Sequence, residues 1–414
     1  MIRRSHRCWF ALAWLLATAI PPGAVPPPEA TYHPLHATSG GSFPAVEVEN
    51  LLVAARHAGS GSPILIMIHG FDTGRREGER LYRTVAGWLQ AAARQRGLPL
   101  VVAGIHWDSA PGSRLKWVPR AFAQRLLATV GFKHAIPDPY EDKIRLARRI
   151  GRLGVRALLL HLAEQLPGQR ISVLAHSLGC EMLVHALEPQ LTGGRDVAAP
   201  LADAPNRSVC EPRVYLAVLA GADLDADLLA RDRPAQRRLL ERADVWWITV
   251  PGKGQQDAVL ALRRLARGEE ALGNSGPRIH RVLAQRLVAR GGLYLDIGRI
   301  PVSHHMEQYF SALRSRALIQ AMAEAADPAS GTGPLARIRR LLSLPANAAE
   351  IAPALNDADL SVRLYAAWRV QSVLRPGDLL RGGIRWPRSV RDVGRARRLL
   401  ESISPARAPQ AGPS

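Results

Sequence analysis

A chain of 414 residues exceeds one average domain, and its 47% hydrophobic content suffices for a sizeable core. The formal net charge is +20, from 55 Lys+Arg against 35 Asp+Glu, with arginine supplying nearly all the cations. Such a field favours anionic partners such as acidic lipid head groups, and it equally matches the Ala, Arg, Leu and Pro bias of a GC-rich coding sequence.

The N-terminus reads as an export signal over residues 1–19. "MIRRSHR" is a basic region, "CWFALAWLLATAI" a short apolar one, and Ala17-Thr18-Ala19 offers small residues for cleavage. An uncleaved membrane anchor is the alternative, and either places the chain in the periplasm or outside the cell. No later stretch is long enough to span a bilayer. Residues 20–62 read as a Pro/Gly-rich N-terminal segment, in which "PPGAVPPPEATYHPLHATSGGSFP" is a linker.

From residue 63 the pattern changes. "PILIMIHGF", "LVVAGIHW", "ISVLAHS", "RVYLAVLAG", "DVWWITVPG" and "GLYLDIG" are apolar runs of strand length. Longer segments with helical spacing, such as "GERLYRTVAGWLQAAARQRG", separate most of them. Apolar strands alternating with amphipathic helices predict an α/β fold, a mostly parallel central sheet flanked by helices. Ligands bind such sheets outside the carboxyl ends of the strands.

Residues 113–156 carry eleven Lys/Arg and three Asp/Glu with Trp117, Phe122 and Phe132 interspersed, a helical insertion able to form a lid or a basic peripheral helix pair. Beyond "DPASGTGP", residues 330–414 read as a basic helical appendage with a disordered end. Its segment "LNDADLSVRLYAAWRVQSVL" resembles one unit of a HEAT-type repeat, with no second copy evident. Of the three cysteines, Cys8 falls in the signal. Cys180 and Cys210 permit one disulfide, although a buried thiol at Cys180 explains it equally well. No metal-ligand spacing is present, and no organic cofactor is implied.

The chemistry concentrates in "LAHSLGC". Ala175-His176-Ser177-Leu178-Gly179 follows the strand "ISVL" and opens the apolar helix "GCEMLVHAL". Small residues two before and two after a serine allow a strained turn on which strand and helix backbones approach closely. Ser177 is therefore the candidate nucleophile. His69-Gly70-Phe71 ends the strand "PILIMI" upstream and offers an oxyanion hole, from the main-chain N–H groups of Phe71 and Leu178. His69 itself reads as a structural hydrogen-bonding residue.

On these motifs residues 63–318 resemble the alpha/beta-hydrolase superfamily. More narrowly, "LIMIHGF", "IHWDSAPG", "YEDKIRLAR", "LAHSLGC", "LAGADLD" and "DAVLAL" resemble, in order, a bacterial branch of alpha/beta hydrolases of unknown function. Asp108 stands where that branch tends to have proline. The resemblance implies a Ser, then Asp or Glu, then His order. It implies Asp257, after "VWWITV", as the acid, with Asp223 and Asp225 of "GADLDAD" as alternatives. The base is then His305, with His304 the alternative, ahead of an amphipathic helix.

The implied activity is a serine hydrolase cleaving carboxylic esters, lipids included, without metal or organic cofactor. A binding module at an anionic membrane or polyanion surface, built on the same fold, is the competing expectation. No specific nucleic-acid motif is present.

Overall fold

A computed structural model describes residues 31–71, 73–110, 139–189, 211–228, 233–251, 260, 271–275, 287, 292–298, 306–310, 312–324, 331–344, 348–374 and 390–401. Strand β1 (His33–His36) is followed by α1 (Ala45–Ala58), β2 (Ile64–Ile68), α2 (Arg75–Arg94) and β3 (Val101–His106). A crossover of α3 (Pro139–Ile150), one π turn (Gly151–Val155) and α4 (Arg156–Gln165) leads to β4 (Ile171–His176), α5 (Gly179–Leu187) and β5 (Val214–Ala220). Next come α6 (Pro234–Glu241), β6 (Ala243–Pro251), β7 (Leu293–Gly298), α7 (Met306–Tyr309) and α8 (Ala312–Glu324). The last three long helices are α9 (Pro334–Ser343), α10 (Leu360–Leu374) and α11 (Val390–Glu401).

The strands form one parallel sheet in the order β1-β3-β2-β4-β5-β6-β7. Every residue of β2, β3 and β4 is buried. That is why these strands read as unbroken apolar runs rather than alternating ones. The chain steps from β2 outward to β3, then back across to β4. Because parallel crossovers are right-handed, this reversal puts α2 on one face and α3–α4 with α5 on the other. The carboxyl ends of β2 and β4 therefore flank the crevice where connections diverge. "HGF" and "LAHS" stand at those two ends.

Residues 31–62 are not simply a linking segment. His33–His36 adds an edge strand, pairing His33 with Ala103 and His36 with His106, and Ala45–Ala58 is a helix burying Leu51, Leu52 and Ala55. Four residues including Pro34 carry no readable alternation, and proline is tolerated there because an edge strand leaves backbone donors unpaired. Of the 113–156 insertion, residues 139–156 form the crossover itself and pack against α5. Gly151 makes that approach achievable, because a methyl group there would collide with the Met182 carbonyl oxygen, and Gly154 likewise lets the crossover meet the Gly41 carbonyl ahead of α1. The remainder of the insertion lies outside the described residues, as do the 1–19 signal, Cys8 and Cys210. Among the described residues no helix is long and apolar enough to cross a membrane.

The C-terminal helices share the sheet's core. Leu335, Ile338, Val362 and Tyr365 belong to the same buried cluster as β2 and β4. Helix α10 lies along the edge strand β7, where the Ser361 hydroxyl donates to the Leu295 carbonyl. A side chain thus satisfies a backbone acceptor of an edge strand that could otherwise pair with another chain. The Asp-rich turn ahead of α10 is a cap: Asp359 Oδ1 accepts the Ser361 and Val362 amides at 2.8 and 3.3 Å. Asp357 accepts Arg337 Nε and Nη2 at 2.9 and 3.1 Å, tying α9 to that turn.

Candidate active site

Ser177 follows β4 directly and has φ 53, the one positive φ of a non-glycine among the described residues. Side chains disfavour that region, so surrounding contacts must hold the serine there. The Ser177 amide donates to the Ala220 carbonyl at 3.0 Å, and the Ser177 carbonyl accepts the amides of Cys180 and Asp223 at 3.0 and 3.2 Å. The small residues around it have a steric cause. A Cβ on Gly179 would lie 2.7 Å from the His69 carbonyl oxygen and 2.8 Å from that of Ile68. A Cβ on Gly70 would lie 2.5 Å from Ser177 Cβ and 3.1 Å from its Oγ.

Leu178, fully buried, precedes the first residue of α5 with φ −65 and ψ −19. The first amides of a helix lack intrahelical acceptors and carry its positive dipole end. The start of α5 thus favours negative charge beside Ser177.

The second loop of the site is held by side chains at His69, Gly70 and Thr73. The His69 amide donates to the Tyr82 hydroxyl at 2.8 Å, which itself donates to the Ile105 carbonyl at 2.6 Å. Trp107 Nε1 donates to the His69 carbonyl at 3.1 Å, and its ring stacks on His69 with centroids 5.8 Å apart. His69 Nδ1 is 2.9 Å from the Gly70 carbonyl oxygen. A carbonyl only accepts, so Nδ1 carries the proton of a neutral ring. Burial lowers the His69 pKa to about 4, against the smaller opposing effects of the Gly70 contact and Glu77, which matches that neutral state. In a planar trans peptide the amide points opposite the carbonyl. Holding the Gly70 carbonyl against the His69 ring therefore fixes the opposite direction for the Phe71 N–H. The Phe71 ring packs edge-on against Tyr140 with centroids 5.0 Å apart.

A feature that the sequence reading missed accompanies these loops. His36 pairs with His106, Ile68 with Ile105 and Ile68 with Ala175. The next position along brings His36, His106, His69 and His176 into one row across four adjacent strands. The signal was present in "HPLH", "VVAGIH", "ILIMIH" and "ISVLAH", each run ending in histidine. His36 stacks on His106 at 4.9 Å, and His106 Nε2 lies 3.1 Å from the Tyr32 hydroxyl. Burial, then the neighbouring His69, His36 and Arg75, lower the His106 pKa to about 3.

Of the candidate acids, Asp223 is buried and its amide joins the Ser177 carbonyl. Asp225 is exposed, and its Oδ1 accepts the Asp227 amide at 3.0 Å in a local turn. The fold brings Asp223 to the serine and leaves Asp225 at the surface. Asp257, His304 and His305 lie outside the described residues. The helix that follows the paired histidines is described: Tyr309 of α7 is fully buried, its ring centroid 5.4 Å from that of His176. A Cβ on Gly221, whose φ is +49, would lie 2.6 Å from the Tyr309 ring. Helix α7 is thus docked on the ends of β4 and β5, next to the elbow.

Cys180 has a free buried thiol whose Sγ donates to the Ala175 carbonyl at 3.3 Å, and burial pushes its pKa well above the usual value. It packs behind the serine as a small apolar group rather than as a nucleophile. Among the described residues no group of three His, Cys, Asp or Glu side chains could hold a metal ion. The fold and site define an α/β protein with a strained serine at the carboxyl edge of its sheet. No family model, no curated protein and no solved structure matches the chain.

Proposed function

We propose that the protein is a serine hydrolase of the alpha/beta-hydrolase type, cleaving carboxylic esters, lipid esters among them. The observation that carries this reading is the φ of 53 at Ser177 on a strand–turn–helix junction. A strained serine held between a helix N-terminus and a glycine-bearing loop is arranged for attack, whereas a serine with only a packing role would need no such backbone.

In the proposed cycle, Ser177 Oγ attacks the ester carbonyl carbon while its proton passes to His305, or to His304 in its place. The acid that orients the histidine is Asp257 or Asp223; the position of Asp223 beside the elbow supports the second. The N–H groups of Phe71 and Leu178 receive the oxyanion. The tetrahedral species collapses by breaking the ester C–O bond, and the histidinium returns its proton to the leaving alcohol. Water then repeats the sequence on the acyl-enzyme, releasing the acid and restoring the serine.

The docking of α7 beside His176, directly after the paired histidines in sequence, supports His304–His305 as the source of the base. The signal-like sequence of residues 1–19 and the +20 net charge support action outside the cytoplasm near anionic lipid. Turnover of p-nitrophenyl esters of increasing acyl length tests the reading. Wild type is expected to hydrolyse at least one of them, and Ser177→Ala to lose that turnover with its fold intact.

A further inference from the structure

The loop that carries Phe71 is tied to the segment leaving β3 by a serine to which no role has been given above. Ser109 is fully buried two residues past Trp107, at the end of the chain segment leaving β3. Its hydroxyl accepts the Thr73 amide at 3.1 Å and donates to the Thr73 carbonyl at 3.0 Å. One hydroxyl can serve both contacts because it holds one donor and two acceptor sites. Trp107 meanwhile binds the His69 carbonyl. Asp108, between them, turns to the other side, where Lys143 Nζ donates to its carbonyl at 2.7 Å and to its Oδ2 at 2.8 Å. Residues 107 and 109 thus pin positions 69 and 73, and Phe71 is midway between the two pins.

That placement matters because the loop is otherwise permissive. Gly70 lacks a Cβ and can have none beside Ser177, so sterics within the loop restrict its backbone little. The orientation of the Gly70–Phe71 peptide must then be set from outside. His69 Nδ1 holds the Gly70 carbonyl on one side of Phe71, and Ser109 holds Thr73 on the other. Donors to a developing oxyanion act through their position, and a shift of about 1 Å costs on the order of a hundredfold in rate.

We infer that Ser109 is a positioning residue of the hydrolase, holding the 69–73 loop through the Thr73 amide and carbonyl so that the Phe71 N–H is aimed at the oxyanion. This rests on the hydrolase reading above. Ser109 touches no substrate and exchanges no proton in the cycle. Its loss is felt in the transition state, where negative charge collects on the former carbonyl oxygen, and much less in the ground-state complex.

The test compares wild type, Ser109→Ala and Ser109→Cys using a p-nitrophenyl ester that wild type hydrolyses. Active sites are counted by fluorophosphonate titration, so that kcat is expressed per folded, reactive site. Ser109→Ala is expected to lower kcat by about ten- to a hundredfold with KM changed less than about threefold. Cysteine keeps the shape with weaker hydrogen bonds and falls between, which also serves if the alanine chain does not fold. An alkyl boronic acid, whose boron accepts the Ser177 oxygen to give a tetrahedral anion, should lose affinity in proportion to kcat/KM. Full per-site kcat and unchanged boronate affinity in a folded Ser109 variant overturn this inference and leave the hydrolase reading standing. A wild-type chain that neither reacts with fluorophosphonate nor hydrolyses any ester of the series overturns both.

Discussion

Gly70 and Ser177 stand so close that a methyl group on the glycine would lie 2.5 Å from the serine Cβ. No real side chains approach that closely, and neither backbone has an easy retreat. The Ser177 backbone is held by Ala220, Cys180 and Asp223, and that of His69 by Tyr82 and Trp107. Gly70→Ala is therefore expected to destabilise the fold by about 1–3 kcal/mol through overpacking. Chemical denaturation measures that loss. In the fraction that folds, displacement of either partner should reduce ester turnover by about a hundredfold.

The histidine row predicts acid sensitivity. His69 and His106 titrate at about 4 and about 3 in the folded chain, against about 6.5 when unfolded. Between those values the unfolded chain binds protons that the folded one refuses, so stability rises with pH there. The stabilisation is complete above about 6.5 and declines as pH falls toward 4 and then 3. For His69, fully buried, the decline is about 1.4 kcal/mol per pH unit over that window. Urea midpoints at pH 7, 5.5 and 4.5 are expected to fall steadily, and more shallowly in His106→Phe. Equal slopes in the two chains would contradict the assignment to this row.

A second charged group predicts a different titration. Glu181 of α5 accepts Arg148 Nη2 at 3.1 Å and Nε at 3.4 Å, and lies 3.3 Å from His185 Nε2. Burial alone would lower the His185 pKa, but contacts with Glu181 and Glu188 outweigh it and raise the value. The His185 ring is expected to titrate above 6.5 when followed by NMR, and to drop in Glu181→Gln. Because its folded pKa is raised, its stabilising effect is present below 6.5 and fades as pH climbs through the folded value.

The C-terminal helices are predicted to be inseparable from the sheet. Ser361→Ala removes the hydroxyl bonded to the Leu295 carbonyl and should cost about 1 kcal/mol in denaturant unfolding. Ending the chain at Glu324 would strip α10 from β7 and expose the apolar surface that packs on it. That shortened chain should self-associate, as sedimentation velocity would show.

How much of this was legible depends on the range of each contact. Six strands declared themselves because strands buried on both faces must be continuously apolar, and Ser177, Gly179 and Gly70 followed from local motif chemistry. Strand β1 escaped because four residues around Pro34 hold no pattern. Tyr82, Trp107 and Ser109 escaped because their partners His69 and Thr73 are 13, 38 and 36 residues away, and no local spacing marks such a bond. The covering of β7 by Ser361 joins residues 66 apart and was equally invisible. The different surroundings of Asp223 and Asp225, one buried at the elbow and the other exposed, were equally absent from the local sequence.

Whether Ser177 is activated can be measured directly. The purified chain would be incubated with a fluorophosphonate at neutral pH, digested and mapped by mass spectrometry, beside Ser177→Ala. A single phosphonyl adduct on the peptide containing "LAHSLGC", absent from Ser177→Ala, is the expected result. No adduct on wild type, or equal labelling of the variant, would contradict a nucleophilic Ser177.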